Sequence, residues 1–159
     1  MSDYGLQSVS TGRSVHFIDE EPAAEDLREL AEELRVKQIL VVYLDCAEYV
    51  DRTWEIPNVI GYAAGTDHPP YDEEREPNWV RWWDDLLSLG SRSTGMVIIL
   101  DNASPLFEAD RKFMTNLLEN FLHGQRSWFK RDAPYHLCFQ MAPCPAVKEV
   151  FSGNPNSDA

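Results

Sequence analysis

The chain has 159 residues, enough for one domain that buries its own core without disulfides or metals. Hydrophobic residues make up 43% of it and aromatic residues 11%, which excludes an intrinsically disordered chain. Its 27 acidic and 14 basic residues leave a net charge of −13, a field that repels nucleic acid and anionic membranes and attracts cationic surfaces.

Residues 1–14 are polar and rich in Ser and Gly, and are expected to form a loose arm. The run 15–18 suits a short strand. Asp19-Glu20-Glu21-Pro22 then leads into Leu27, Leu30, Ala31 and Leu34 at helical spacing. Acids near its start favour the positive end of a helix dipole, and Pro22 suits a first turn. Residues 38–44 form a continuous apolar, β-branched run, the pattern of a strand covered on both faces.

Residues 46–77 carry Pro57, Pro69, Pro70 and Pro77 and offer a short helical possibility at 47–52 only. A loop of that length in a compact domain is usually functional or partly disordered. It ends on Tyr71-Asp72-Glu73-Glu74-Arg75-Glu76, four carboxylates and a tyrosine.

Next comes a Trp-rich stretch, 77–90, read as one helix. Asn78 is its candidate cap and Gly90 its stop. On a wheel of about 100° per residue, Trp79, Trp82, Leu86 and Leu89 face inward. Val80, Trp83, Asp84 and Leu87 form a second apolar edge with one carboxylate. Such width is more than a helix needs to anchor itself on a core. The competing view is a wide core-facing helix in an aromatic-rich protein.

Residues 96–100 are a second buried strand, closed by Asp101 and Asn102. Ser104 and Pro105 open a long helix with an apolar stripe from Leu106 to Leu122, interrupted by Asp110 and stopped at His123-Gly124. Residues 125–131 suit a short extra turn, and 135–141 alternate as a third strand. Residues 142–159 are rich in Pro, Gly and Asn and are expected to be a loose tail. The expectation is a single domain with a folded core at 15–141. Its class is α/β, a small three-stranded parallel sheet with flanking helices.

No apolar run approaches the roughly 20 residues of a membrane span, and the N-terminus lacks a signal-peptide pattern. Cys46, Cys138 and Cys144 show no C-x-x-C spacing and cannot all pair. Free thiols in the cytoplasm are the simplest account.

There is no Gly-rich phosphate loop, no G-x-S-x-G elbow and no H-E-x-x-H. His16, His68, His123 and His136 are scattered, so no metal set and no cofactor is expected. Asp45, Asp101 and Asp84 are able to converge at strand and helix ends, where open α/β sheets bind ligands. Nothing supplies a nucleophile to complete that enzyme reading, and no catalysis is expected.

The segment 78–87 resembles the second helix of the barstar family, small cytoplasmic inhibitors of secreted ribonucleases. Asn78, Trp83, Asp84 and Leu86 fall on the matching positions, and the order of elements over 38–141 is similar. In that family the Trp-Asp pair lies at the inhibitory surface, with the Asp entering the nuclease's cationic phosphate site. The resemblance therefore implies that role for Trp83 and Asp84. Val80 stands where the family has a second acid, which implies a different target. The larger size and added N-terminal helix look like the immunity proteins that bacteria encode beside polymorphic toxins.

The expected function is thus a toxin-neutralising immunity protein that blocks a cationic toxin enzyme, with no nucleic-acid or membrane partner. The expected contact residues are Trp83, Asp84, Val80 and Leu87, with Tyr71, Asp72, Glu73, Glu74 and Glu76 beside them. The alternative is a barstar-like regulatory or adaptor domain with a non-toxin partner.

Overall fold

The computed structural model describes residues 15–18, 24–65, 72–73, 76–88, 94–130 and 133–141. Four strands, β1 (Val15–Ile18), β2 (Leu40–Asp45), β5 (Met96–Asp101) and β6 (Tyr135–Gln140), make one sheet in the spatial order β1-β6-β5-β2. Every neighbouring pair in it is parallel. The sheet has four strands, not three. Residues 15–18 read as a strand in isolation, but only the open edge of β6 turns them into a sheet member, with Val15 opposite Leu137 and Ile18 opposite Gln140.

Because parallel neighbours need crossovers, helices cover the faces. Helix α1 (Ala24–Val36) joins one edge strand to the other and lays Leu27, Leu30, Ala31 and Leu34 on one face. Ile39, Val41, Val97, Ile99 and Cys138 meet them from the sheet. The opposite face is covered by α2 (Ile56–Ala64), α3 (Trp79–Ser88), α4 (Ser104–Ala109) and α5 (Arg111–Phe129). Strand β6 is buried on both faces, its polar alternates His136 and Gln140 included. Across the first pair of strands, His16 Nε2 and His136 Nδ1 lie 2.8 Å apart.

Gly95 leads into β5 where no side chain fits, since a Cβ there would stand 2.9 Å from the Pro134 ring and carbonyl. That closeness lets the Met96 N–H donate to Pro134 O at 2.8 Å and start the β5–β6 ladder.

Three local expectations change. The stretch 46–77 is not one loop. After two 3-10 turns (Cys46–Tyr49 and Thr53–Glu55) it forms α2, then a small antiparallel pair, β3 (Asp72–Glu73) with β4 (Glu76–Pro77). Pro57 sits in the first turn of α2, where its missing N–H costs nothing, and Ile56, Ile60 and Ala64 are buried one turn apart. Gly65, at φ +96°, ends that helix.

The long helix expected from 104 is two helices. At Asp110 the backbone leaves helical geometry (φ −148°). Its Oδ1 then accepts the Phe113 N–H at 3.0 Å, as a cap residue does, and its Oδ2 accepts the Thr53 hydroxyl at 3.0 Å. The acid that interrupts the apolar stripe is the joint of the helix pair. Finally, α5 runs through His123 and Gly124 to Phe129, because buried Gly124 and Trp128 continue its inner face.

Asp110→Ala is expected to lower unfolding free energy by about 1–2 kcal/mol, through loss of the cap and the Thr53 link. Trp82→Ala, which empties a fully buried site, is expected to cost about 3–5 kcal/mol. Urea denaturation of the two variants measures both, and an Asp110→Ala midpoint equal to wild type would remove the joint from the account.

Candidate functional site

Helix α3 starts as its sequence suggests, with Asn78 Oδ1 accepting the Arg81 N–H at 3.2 Å. Its inner face is pinned by Trp82, whose indole N–H donates to Pro57 O at 3.1 Å, and by buried Leu86. Trp79 is half-buried, with its ring 5.5 Å from that of Trp82 and 5.5 Å from that of Phe113. On the outer edge Val80 is 64% exposed and Asp84 is exposed.

Trp83 lies between these two settings. It is half-buried against the core cluster, and its ring stacks on exposed His123 of α5, centroids 5.8 Å apart and planes 21° apart. The structure therefore brings Val80, Trp83 and Asp84 onto one edge at the seam of α3 and α5. Leu87 belongs to the same helix, and its side chain lies outside the described residues. Asp72, Glu73 and Glu76 sit on the β3–β4 backbone just ahead of α3, their side chains also outside the description. Tyr71 and Glu74 lie outside the described residues altogether.

The three-acid convergence does not form. Asp45 and Asp101 face each other at the carboxyl ends of β2 and β5, whereas Asp84 is carried on the solvent edge of α3. Both strand-end acids are engaged. Asp45 Oδ1 accepts from Ala47 N–H at 3.1 Å and from the Asn102 side-chain amide at 3.0 Å. Asp101 Oδ1 accepts the Asn102 N–H at 2.8 Å, and its Oδ2 accepts the Tyr43 hydroxyl. Asn102 holds φ +52°, a left-handed setting that asparagine tolerates. These acids anchor the turns that leave the two strands. Burial, and then the hydrogen bond to Asp101, push the Tyr43 phenol well above its ordinary range.

His136 and Cys138 share the α1 side of β6, and no group of three or more metal-binding side chains exists among the described residues. Burial pushes the Cys138 thiol up to about 12, and burial followed by Asp45 raises the Cys46 thiol further.

A cleft of about 310 Å³ opens between the Thr53–Glu55 turn, the start of α3 and the α4–α5 joint. Trp54, Trp79 and Phe113 line it, together with Asp51, Asp110 and Lys112. The interruption of the helical stripe at Asp110 was its one visible trace.

No family model and no curated protein matches the chain. Among solved structures, a chain from "Structure of Drosophila ORC bound to DNA" is similar, with a TM-score of 0.56 and 12% identity. The match covers 91% of this chain and 36% of that one, so this chain spans about a third of its length. At that identity the likeness is one of fold alone. Among the described residues, no helix is long and apolar enough to cross a membrane.

Tyr43, Tyr135, Cys46 and Cys138 all have raised folded values, chiefly through burial. A group held neutral by folding contributes stability that is complete below its unfolded value, about 8.5 for a thiol and 10 for a phenol. That contribution is lost as pH rises beyond it. Stability to urea is therefore expected to fall steadily from pH 8.5 to pH 11. A flat profile over that range would contradict the burial assigned to these four groups.

Proposed function

We propose that this protein is a toxin-neutralising immunity protein. It binds and covers the active site of a cognate cationic toxin enzyme and performs no turnover of its own. The observation that carries this reading is the outer edge of α3. An exposed carboxylate, Asp84, stands beside a 64% exposed valine and a half-buried tryptophan on a helix whose opposite face is locked into the core. Aromatic anchors beside a charge are the usual composition of an interface hot spot. A net charge of −13 steers a basic partner toward such an edge.

Two further points support a binding role over catalysis. The strand-end acids, where open sheets usually bind ligands, are hydrogen-bonded into their own turns. The stretch after β1, where nucleotide-binding sheets carry a Gly-rich phosphate loop, reads Asp19-Glu20-Glu21-Pro22. Three carboxylates repel phosphate. The succession β2, β5, β6 with a Trp-Asp helix between the first two is also the order that the barstar resemblance implies, with β1 and α1 as additions.

A second reading is a barstar-like regulatory or adaptor domain with a non-toxin partner. The acidity of this chain opposes direct DNA contact, so the adaptor would act through protein. Both readings keep the protein in the cytoplasm. They part on the identity of the co-purifying partner, a toxin encoded beside it or a component of a larger assembly.

If Asp84 enters a cationic pocket, Asp84→Ala leaves the partner's charge buried and unpaired. The expected loss of affinity is about 2–5 kcal/mol with unchanged melting. Asp85→Ala, about 100° around the helix, is expected to change affinity little. Trp83→Ala should lower both affinity and stability, because Trp83 also stacks on His123. Stable Asp84→Ala protein that still protects cells fully against the toxin would end this reading. Association with the partner should also slow as salt shortens the screening length to about 8 Å at physiological strength, and a salt-independent rate would remove charge steering.

A further inference from the structure

The cleft at the α4–α5 joint has the makings of a separate binding site, and we propose that it takes an arginine side chain of a partner protein. At about 310 Å³ it sits at the small end of ligand pockets, which run from about 300 Å³ upward. That volume fits one long side chain better than a cofactor. Three aromatic residues, Trp54, Trp79 and Phe113, are part of its lining. Trp79 is held in place from two sides, by Trp82 and by Phe113.

A planar guanidinium stacks on such faces and pairs with a carboxylate in the same plane, which a spherical ammonium does less well. Carboxylates are present. Asp51 is exposed at the mouth, and Asp110 spends one oxygen on Phe113 N–H and the other on the Thr53 hydroxyl. A carboxylate has about four acceptor positions, so Asp110 retains two.

Two features oppose a cation here. The start of α5 carries a partial positive charge, which favours anions. Here the Asp110 carboxylate already occupies that helix start as its cap. Among the described residues Lys112 is the one cation of the lining, and it is exposed to water. The chain uses the same chemistry next door, where the Arg52 guanidinium lies 4.9 Å from the Tyr49 ring centre. The lining of the site shares no residue with the Val80, Trp83 and Asp84 edge of α3. It holds even if Asp84 proves indifferent to binding.

The test uses the full chain and N-acetyl-arginine methylamide, read by tryptophan fluorescence and by indole N–H shifts. A saturable response is expected, stronger than that to the lysine analogue, and absent with inorganic phosphate. Asp51→Asn changes only an exposed residue and should weaken the response about threefold. Trp54→Leu should weaken it about tenfold, with Asp51→Asn serving as the independent check if that variant folds poorly. Lys112→Ala should strengthen it by removing a like charge. No saturable response at tens of millimolar, equal binding by Asp51→Asn, or a phosphate response that Lys112→Ala abolishes would each overturn the proposal.

Discussion

The structure depends first on β5 being buried on both faces while hydrogen-bonded along both edges. Met96–Asp101 pairs in parallel with β2 on one side and with β6 on the other. Parallel pairing forbids tight hairpins, so each connection must cross a face, and five helices fill that requirement. The faces are unequal. Among the described residues, one carries α1 alone, and the other carries four helices and nearly all the large aromatic side chains. The α3 edge and the cleft at the α4–α5 joint both lie on the crowded face, where helices meet one another and leave seams between them.

The crowded face is held together by a few polar ties. The Thr53–Asp110 bond connects the turn after β2 to the joint between α4 and α5, 57 residues apart in sequence. The Trp82–Pro57 bond connects α3 to α2. At the bottom of the layer Tyr135 donates its hydroxyl to Phe121 O at 2.6 Å and stacks on Phe121 and Trp128. Buried polar groups cost free energy unless paired, so these bonds choose one packing of the helices over others of equal hydrophobicity. The orientation of α3, and with it the exposure of Val80 and Asp84, follows from that choice.

The proposed interaction surfaces illustrate two ways of exposing aromatic area without losing it from the fold. Trp83 keeps one side on the core and His123, leaving an edge beside Asp84. Trp79 gives one side to Trp82 and Phe113 and another to the cleft. Half-burial fixes the rotamer in advance, so a partner would meet a rigid ring and lose less entropy on binding.

Much of this was legible in the chain. The apolar runs at 38–44 and 96–100 and the alternation at 135–141 each marked a strand, because burial and side-chain period are properties of a local segment. Asn78 marked the start of α3, and Leu27, Leu30, Ala31 and Leu34 marked the face of α1. Other features needed the whole fold. Residues 15–18 became a sheet strand only beside the free edge of β6. Asp110 read as a flaw in a stripe until Thr53 reached it from across the molecule. Pro57 and Gly61 hid α2, because intrinsic propensity is weak beside the gain from burying Ile56, Ile60 and Ala64. The cleft belongs wholly to tertiary structure. Its three rings come from segments up to 59 residues apart (Trp54 to Phe113), and periodicity within one segment carries no information about where another will end.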